Sequence, residues 1–460
     1  RSAETVRISA LDGEHHLKAY QVFDSTDPNG LLTIERGAGS TVVDTDGREY
    51  IDAVGGIWCT NIGLGRDEMA DAISDQVRRL AFANPFTDMG TVPATELAAK
   101  LAELAPAHMN RVFFTTGGST AIDAAFRMVH FYQFGRGTPE KRHVISRVDA
   151  YHGSTYASVS IGGKPADHPP YFGFITDTIH HLSSPNYFRH GGDRSEQEFA
   201  TDLVAEFRQK VDELGGPDAV GAFFAEPVMG AGGVVPPPDN YLLRIRQICR
   251  EWDILYVSDE VVTGFGRLGE WFASDSVYGL EPDLITTAKG LTSGYLPLGA
   301  LLVSDRVAEV IGEKGHDRYF AVGFTYGGHP VSCAAALKNI EIIEREDILG
   351  HVREVGPYFM EQLDTLRDLP MVGDVRGHSL MACVEFVADS ATNQPYPEEI
   401  DVGKWVSNEA EKLGLIVRPI VNLNVMSPPL VITKDEIDQV VVRLREAITR
   451  ATAKLEAAGY

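Results

Sequence analysis

A chain of 460 residues that is 44% hydrophobic can bury a large core and is long enough for two or three domains. Its 41 Lys and Arg against 65 Asp and Glu leave a formal charge of −24, a surface that repels phosphate backbones and excludes nucleic acid as a partner. A small anion bound by such a chain needs a local cradle of backbone amides, lysine or arginine.

In chain order, residues 41–53, TVVDTDGREYIDA, hold two short β-rich runs broken by Asp46-Gly47, the composition of a hairpin in a small N-terminal subdomain. From about residue 94 the pattern alternates: a helix at 94–104, the strand RVFFTT at 111–116, then a helix opening at Gly118-Ser119. Further strands are HVISRV (143–148), AVGAFFAE (219–226), ILYVSDE (254–260), LITTAK (284–289) and PLGALLVS (297–304), with a helix at 239–253. Several are apolar throughout, as strands covered on both faces must be, so this part is an α/β domain around a buried, mostly parallel sheet. The Pro-rich PVMGAGGVVPPPDN (227–240) reads as an active-site loop. Beyond residue 330 come a long helix, the strands SLMACVEF (379–386) and GLIVRP (414–419), and an amphipathic helix at 434–456. The expected division is 1–60 as the N-terminal part of a small domain, 61–330 as the large domain, and 331–460 as the C-terminal part of the small one.

The opening residues RSAETVRISALDGEHH lack the apolar core of a signal peptide, although the chain starts at Arg1 rather than Met. No apolar run reaches membrane-spanning length. Cys59, Cys249, Cys333 and Cys383 are far apart without a CxxC pair, which argues against a zinc site or a disulfide framework. The expectation is a cytoplasmic protein with no bound metal and no membrane partner.

Ligands of open α/β sheets bind beyond the carboxyl ends of the strands. Four strands end in polar chemistry: FFTT runs into Gly117-Gly118-Ser119, GAFFAE ends in Glu226, LYVSDE in Asp259-Glu260 and LITTAK in Lys289. A lysine and several carboxylates at one sheet edge are costly unless paired or bound to something. Pyridoxal phosphate supplies such a partner: it takes an amine, a carboxylate opposite its pyridine nitrogen, and donors around its phosphate. Taken singly, the residues keep blander readings. Lys289 is a solvated strand end, Asp259 and Glu226 are helix caps or loop acceptors, Tyr151 is a core aromatic, and Trp58 and Phe86 are packing residues.

The order of the motifs decides between these readings. The stretch YVSDEVVTGFGRLGEWFASDSVYGLEPDLITTAKGLTSGYLPLGALL (256–302) resembles the signature of the class III aminotransferases of the fold type I pyridoxal-phosphate family. It is joined by Gly117-Gly118-Ser119, Tyr151-His152-Gly153, Ala225-Glu226-Pro227-Val228 and Phe324-Thr325-Tyr326-Gly327-Gly328-His329-Pro330. The resemblance implies that Lys289 is the Schiff-base lysine and Asp259 the partner of the pyridine nitrogen. Tyr151 and Val261 would cover the two ring faces, Glu226 would brace the carboxylates, and Gly118 and Ser119 would hold the phosphate, with His152 at the same site. It also implies a homodimer in which Thr325 reaches the neighbouring subunit's phosphate. One departure is Thr120, where the family commonly has Glu, which bears on packing beside the phosphate.

Trp58, Phe86, Met229-Gly230-Ala231 and Arg418 further resemble the ω-amino acid and amine:pyruvate aminotransferases, with Arg418 gripping the acceptor carboxylate. The implied reaction moves an amino group from an amine to a keto acid in ping-pong fashion, Lys289 serving as anchor and proton shuttle. Diaminononanoate, 4-aminobutyrate or taurine aminotransferases and a decarboxylating relative remain open within the family. So does a non-catalytic amine sensor, which would need a basic DNA-reading segment that this acidic chain lacks.

Overall fold

The computed structural model describes residues 1–22, 30–314 and 317–460. The largest sheet has seven strands in the order Arg111–Thr115, Gly299–Val303, Leu284–Thr287, Leu255–Asp259, Val220–Ala225, His143–Arg147 and Ile179–Leu182. The last five run parallel, and Gly299–Val303 runs antiparallel to both of its neighbours. Period-two alternation explains why these runs are apolar without a break. Ile145, Phe223 and Tyr256 pack under helices Glu196–Glu213 and Tyr241–Glu251, while their chain neighbours Val144, Phe224 and Val257 pack on the opposite face under helix Gly118–Gly135. Each buried phenylalanine of this kind contributes about 2–3 kcal/mol through apolar area removed from water. Helix Glu196–Glu213 starts at a capping box, with Ser195 and Glu198 exchanging side-chain and backbone bonds.

The smaller α/β domain is built from both chain ends. Ile34–Ala38, Thr41–Asp44 and Glu49–Asp52 form an antiparallel meander, and Leu415–Ile416 adds to it in parallel through Leu415 opposite Ile51. The Asp46-Gly47 turn forms as expected: Asp44 Oδ1 accepts the amides of Asp46 and Arg48, and Gly47 takes a φ of +81°. A second sheet orders Val372–Gly377, Ala382–Phe386, Leu423–Met426 and Arg418–Ile420. Helices Ile348–Asp364, Val402–Lys412 and Lys434–Ala457 cover these sheets with a contiguous apolar core.

Two expectations need correction. GLIVRP is not one strand: the chain leaves one sheet after Ile416 and enters the other at Arg418, because Leu415–Ile416 pairs with Glu49–Asp52 and Arg418–Ile420 pairs with Leu423–Met426. Four strands also escape the sequence pattern. Ile34–Ala38 is a largely exposed edge, Ile179–Leu182 carries two histidines, Val372–Gly377 has two valines among glycines and charged residues, and Leu423–Met426 hides Asn424, whose amide donates to Gly403 O at 2.8 Å. Among the described residues no helix is long and apolar enough to cross a membrane.

Candidate active site

The carboxyl ends of the parallel strands converge as the sheet topology requires. Asp259 closes its strand directly opposite Thr286 of the next, and Thr286 Oγ1 donates to Asp259 Oδ1 at 3.3 Å. Lys289 follows three residues later in a tight turn, with a φ of +37°. That turn is held from behind by Asn339, whose amide donates to Gly290 O at 2.8 Å and Leu291 O at 3.0 Å. The Lys289 Nζ lies 5.8 Å from the centre of the Trp58 ring. Burial pushes the pKa of Lys289 below the usual lysine value; the carboxylate of Asp259 opposes the shift and the cation of Arg418 adds to it. A lysine so placed presents more of the neutral amine, the form that attacks a carbonyl.

Asp259 is 5% exposed and held at both oxygens: its Oδ2 lies 2.7 Å from His152 Nδ1 and its Oδ1 accepts the Val261 amide at 3.0 Å. Glu226 is spent on backbone, accepting Tyr151 N–H at 3.2 Å through Oε1 and Gly230 N–H at 2.7 Å through Oε2. Burial pushes the Glu226 carboxyl up, while nearby His152 pulls it down and Asp259 adds to the rise. Beneath it, buried Arg147 donates to Glu226 O at 3.0 Å.

Helix Gly118–Gly135 points its first amides into the same space. A Cβ on Gly118 would stand 3.0 Å from Val261 Cγ1, so the helix start packs close to the second residue past Asp259. The Tyr151-His152-Gly153 turn closes on this helix: Ser154 N–H donates to Ser119 Oγ at 3.0 Å, and a Cβ on Gly153 would meet that oxygen at 2.5 Å. Thr120 turns inward, donating to Gly117 O at 2.9 Å and accepting Thr116 N–H at 3.1 Å. Its departure from the family pattern is thus absorbed by the helix cap.

These residues fit pyridoxal phosphate by the chemistry of the donor set: a buried amine, a buried carboxylate, and a helix start for a phosphate. His152 Nε2 is buried without a hydrogen-bond partner, the mark of a site built for more than internal packing.

Of the expected substrate residues, Trp58 and Arg418 stand near Lys289, and Ala231 sits on the turn against Trp58. Trp58 is buried with a φ of +60°, and its ring lies against Gly230, where a Cβ would sit 2.3 Å from Cζ3. Ala231 follows on that turn, and half-buried Arg418 reaches over from the small domain, with no ion pair among the described residues. Phe86 and Thr325 make no hydrogen bond or ring contact with Lys289 among the described residues. Phe86 is 44% exposed and, with Tyr319 to Phe324, lines an apolar cleft of about 740 Å³, and Thr325 is exposed. Asn339 and Arg147 were missed because long-range bonds to backbone leave no local sequence signal, and Thr286 because its bond to Asp259 crosses between strands. Lys164, whose Nζ lies 6.0 Å from the Tyr151 ring centre, was missed as well.

A doubly covered sheet with a lysine and an aspartate on adjacent strand ends, beside a helix start, defines a fold type I aminotransferase. The chain belongs to the class III aminotransferases: the model of that family, Aminotransferase class-III, matches residues 22–448. It is 40% identical over 453 residues to the putrescine–pyruvate aminotransferase of Pseudomonas aeruginosa, covering 98% of each chain. It is also 40% identical to the mitochondrial γ-aminobutyrate transaminase 1 of Oryza sativa subsp. indica, over 91% of this chain and 81% of that one. Among solved structures it resembles a thermostable (S)-enantioselective ω-transaminase from Thermomicrobium roseum, with a TM-score of 0.93, 38% identity, and 98% and 99% of the two chains covered. The ω-transaminase of Pseudomonas jessenii in complex with PMP gives a TM-score of 0.92 at 35% identity, over 98% of this chain and 100% of the other. The protein is therefore an aminotransferase, acting on an amino donor and a keto-acid acceptor, and its family implies pyridoxal phosphate as cofactor.

Proposed function

We propose that this enzyme transfers an amino group from an amine or ω-amino acid to a keto acid such as pyruvate, with pyridoxal 5'-phosphate carried on Lys289. The observation that carries this reading is Arg418: a half-buried guanidinium with no ion pair among the described residues, close enough to depress the Lys289 pKa, with the Trp58 ring 5.8 Å from the same lysine's Nζ. One cation and one apolar wall suit a pocket that takes a carboxylate in one half-reaction and an uncharged group in the other. The cofactor supplies an electron sink that weakens the bonds at the substrate's α-carbon. Asp259 would pair with its ring nitrogen and favour the protonated form there, Tyr151 and Val261 would flank the ring, and Glu226 and His152 hold the Tyr151 backbone and Asp259 in place. Gly118 and Ser119 bind the phosphate through the helix start. Lys289, released when the amino donor binds, would be the base placed to take and return the proton at the substrate's α-carbon.

The enzyme works as a homodimer in this reading. The apolar cleft at Phe86 and the exposed Phe82, Met89, Tyr319 and Tyr326 form a patch that a second copy covers, and Phe86 and Thr325 complete the neighbour's site. A cytoplasmic location is consistent with the four free cysteines. The test is to mix the purified, cofactor-loaded enzyme with putrescine or 1-phenylethylamine and pyruvate and to measure alanine. Alanine formation is expected. Glutamate from 2-oxoglutarate with no alanine from pyruvate would overturn the acceptor assignment in favour of the 4-aminobutyrate type.

A further inference from the structure

The turn from Met229 to Val235 carries Ala231 and has little freedom of its own. It is closed by Met229 N–H to Val235 O at 3.0 Å, Val235 N–H to Met229 O at 2.9 Å and Val234 N–H to Gly230 O at 2.9 Å. Three of its residues have no room for a side chain. A Cβ at Gly230 would stand 2.3 Å from Trp58 Cζ3, at Gly232 2.5 Å from Asp149 O, and at Gly233, with a φ of +108°, 2.8 Å from Leu423 Cδ1. Two outside groups hold its ends. Glu226 takes Gly230 N–H on the cofactor side at 2.7 Å, and Arg376 Nε donates to Gly233 O from the small domain at 2.9 Å.

Arg376 is itself fixed by charge. Its Nη1 bonds Asp374 Oδ2 at 3.1 Å and Glu385, and Glu385 also takes Arg189 from the large domain, which reaches back to Asn393 O at 2.7 Å. Arg189, Glu385, Arg376 and Asp374 thus form a largely buried bridge between the domains, and Arg367 extends it at the surface by pairing with Asp374 at 3.1 Å. The sheet adds a second link. Arg376 pairs with Cys383, Cys383 with Val425, and Val425 with Arg418, so the two arginines end one cross-strand row on one face. Between them Cys383 and Val425 pack on Val228, Val234 and Trp58.

We propose that Arg376 is a positioning residue for amine selection: its grip on Gly233 sets how far the Ala231 turn stands from Trp58 and so sets the size limit of the donor pocket. The inference rests on the proposed reading that Ala231, Trp58 and Arg418 line that pocket. A lysine at 376 keeps the charge facing Glu385 but loses the planar fork that reaches Gly233 and Glu385 together.

Arg376→Lys and Glu385→Gln test this by two independent measurements. Amide exchange at Met229 to Val235 should speed up at least tenfold in Arg376→Lys while exchange in the central sheet is unchanged. In steady-state kinetics with pyruvate, KM for a small donor, isopropylamine, should rise several-fold with kcat nearly kept. The kcat/KM ratio of a bulky to a small donor should shift toward the bulky one, and the visible spectrum should stay that of the parent. Unchanged exchange in the turn together with an unchanged donor ratio in both variants would overturn the proposal. A parent enzyme inactive with all amines would strike the proposed function instead, leaving the exchange result to decide the role of Arg376. Should Arg376→Lys fail to fold, Glu385→Gln still decides by the same two measurements.

Discussion

Replacing Asp259 by Asn tests the site with the least disturbance to its shape. In the protein Oδ1 accepts the Val261 amide at 3.0 Å and Oδ2 faces His152 Nδ1 at 2.7 Å. Asparagine is isosteric and keeps the first bond through its carbonyl, but it turns an NH2 toward His152 and toward the cofactor ring nitrogen, and it removes the negative charge from a residue only 5% exposed. A buried charged contact of this kind, once lost, removes about 3–4 kcal/mol of transition-state stabilisation, on the order of 10²–10³ in rate. The assay is single-turnover conversion of the loaded enzyme with alanine, followed by visible absorption, beside a cofactor titration. The expected result is a rate lowered at least a hundredfold with cofactor affinity changed far less. A variant turning over within about threefold of the parent, a difference under 1 kcal/mol, would remove Asp259 from the ring-nitrogen role.

Arg418→Ala should lower kcat/KM for pyruvate and for β-alanine through loss of a bidentate contact worth about 2–5 kcal/mol, while 1-phenylethylamine reacts in its own half-reaction nearly as before; equal losses would assign Arg418 to the fold. Gly230→Ala forces a methyl to 2.3 Å from Trp58 Cζ3 and should cost about 1–3 kcal/mol of stability, read as a lowered Tm, together with a sharper loss for bulky donors; an unchanged Tm would show that Trp58 yields freely. In the cofactor-free enzyme the depressed Lys289 pKa means that, between the folded and unfolded values, the unfolded chain binds the extra proton. Stability therefore rises with pH through that window, and Lys289→Met should remove this share of the slope in Tm measured from pH 7 to 10; a slope identical in parent and variant would contradict it.

Much of this site was legible because strand-end polarity is a local property. Glu226, Asp259 and Lys289 each close an apolar run, and the sheet rule brings such ends together without knowledge of contacts. The division of labour between Asp259 and Glu260 was also accessible, since consecutive strand residues face opposite ways. Asp259 turns to His152, while Glu260 is buried beneath the next loop, accepting Thr263 Oγ1 at 2.7 Å and the amides of Ala273 at 3.0 Å and Ser274 at 2.6 Å. What escaped depends on partners far away in sequence. The break at Val417, which hands Arg418 to a different sheet from Ile416, is decided by which strands are free to pair. Asn339 under the Lys289 turn and Arg376 on Gly233 bond backbone atoms, which carry no residue identity to read.

The central claim is that Lys289, and no other lysine, carries the cofactor. Borohydride reduction of the yellow, cofactor-loaded enzyme, followed by proteolysis and mass spectrometry, should place the pyridoxyl mass on the peptide LITTAKGL at Lys289, and Lys289→Ala should yield no modified peptide. Stoichiometric modification of any other lysine in the parent enzyme, or a reducible linkage that persists in Lys289→Ala, would contradict the account.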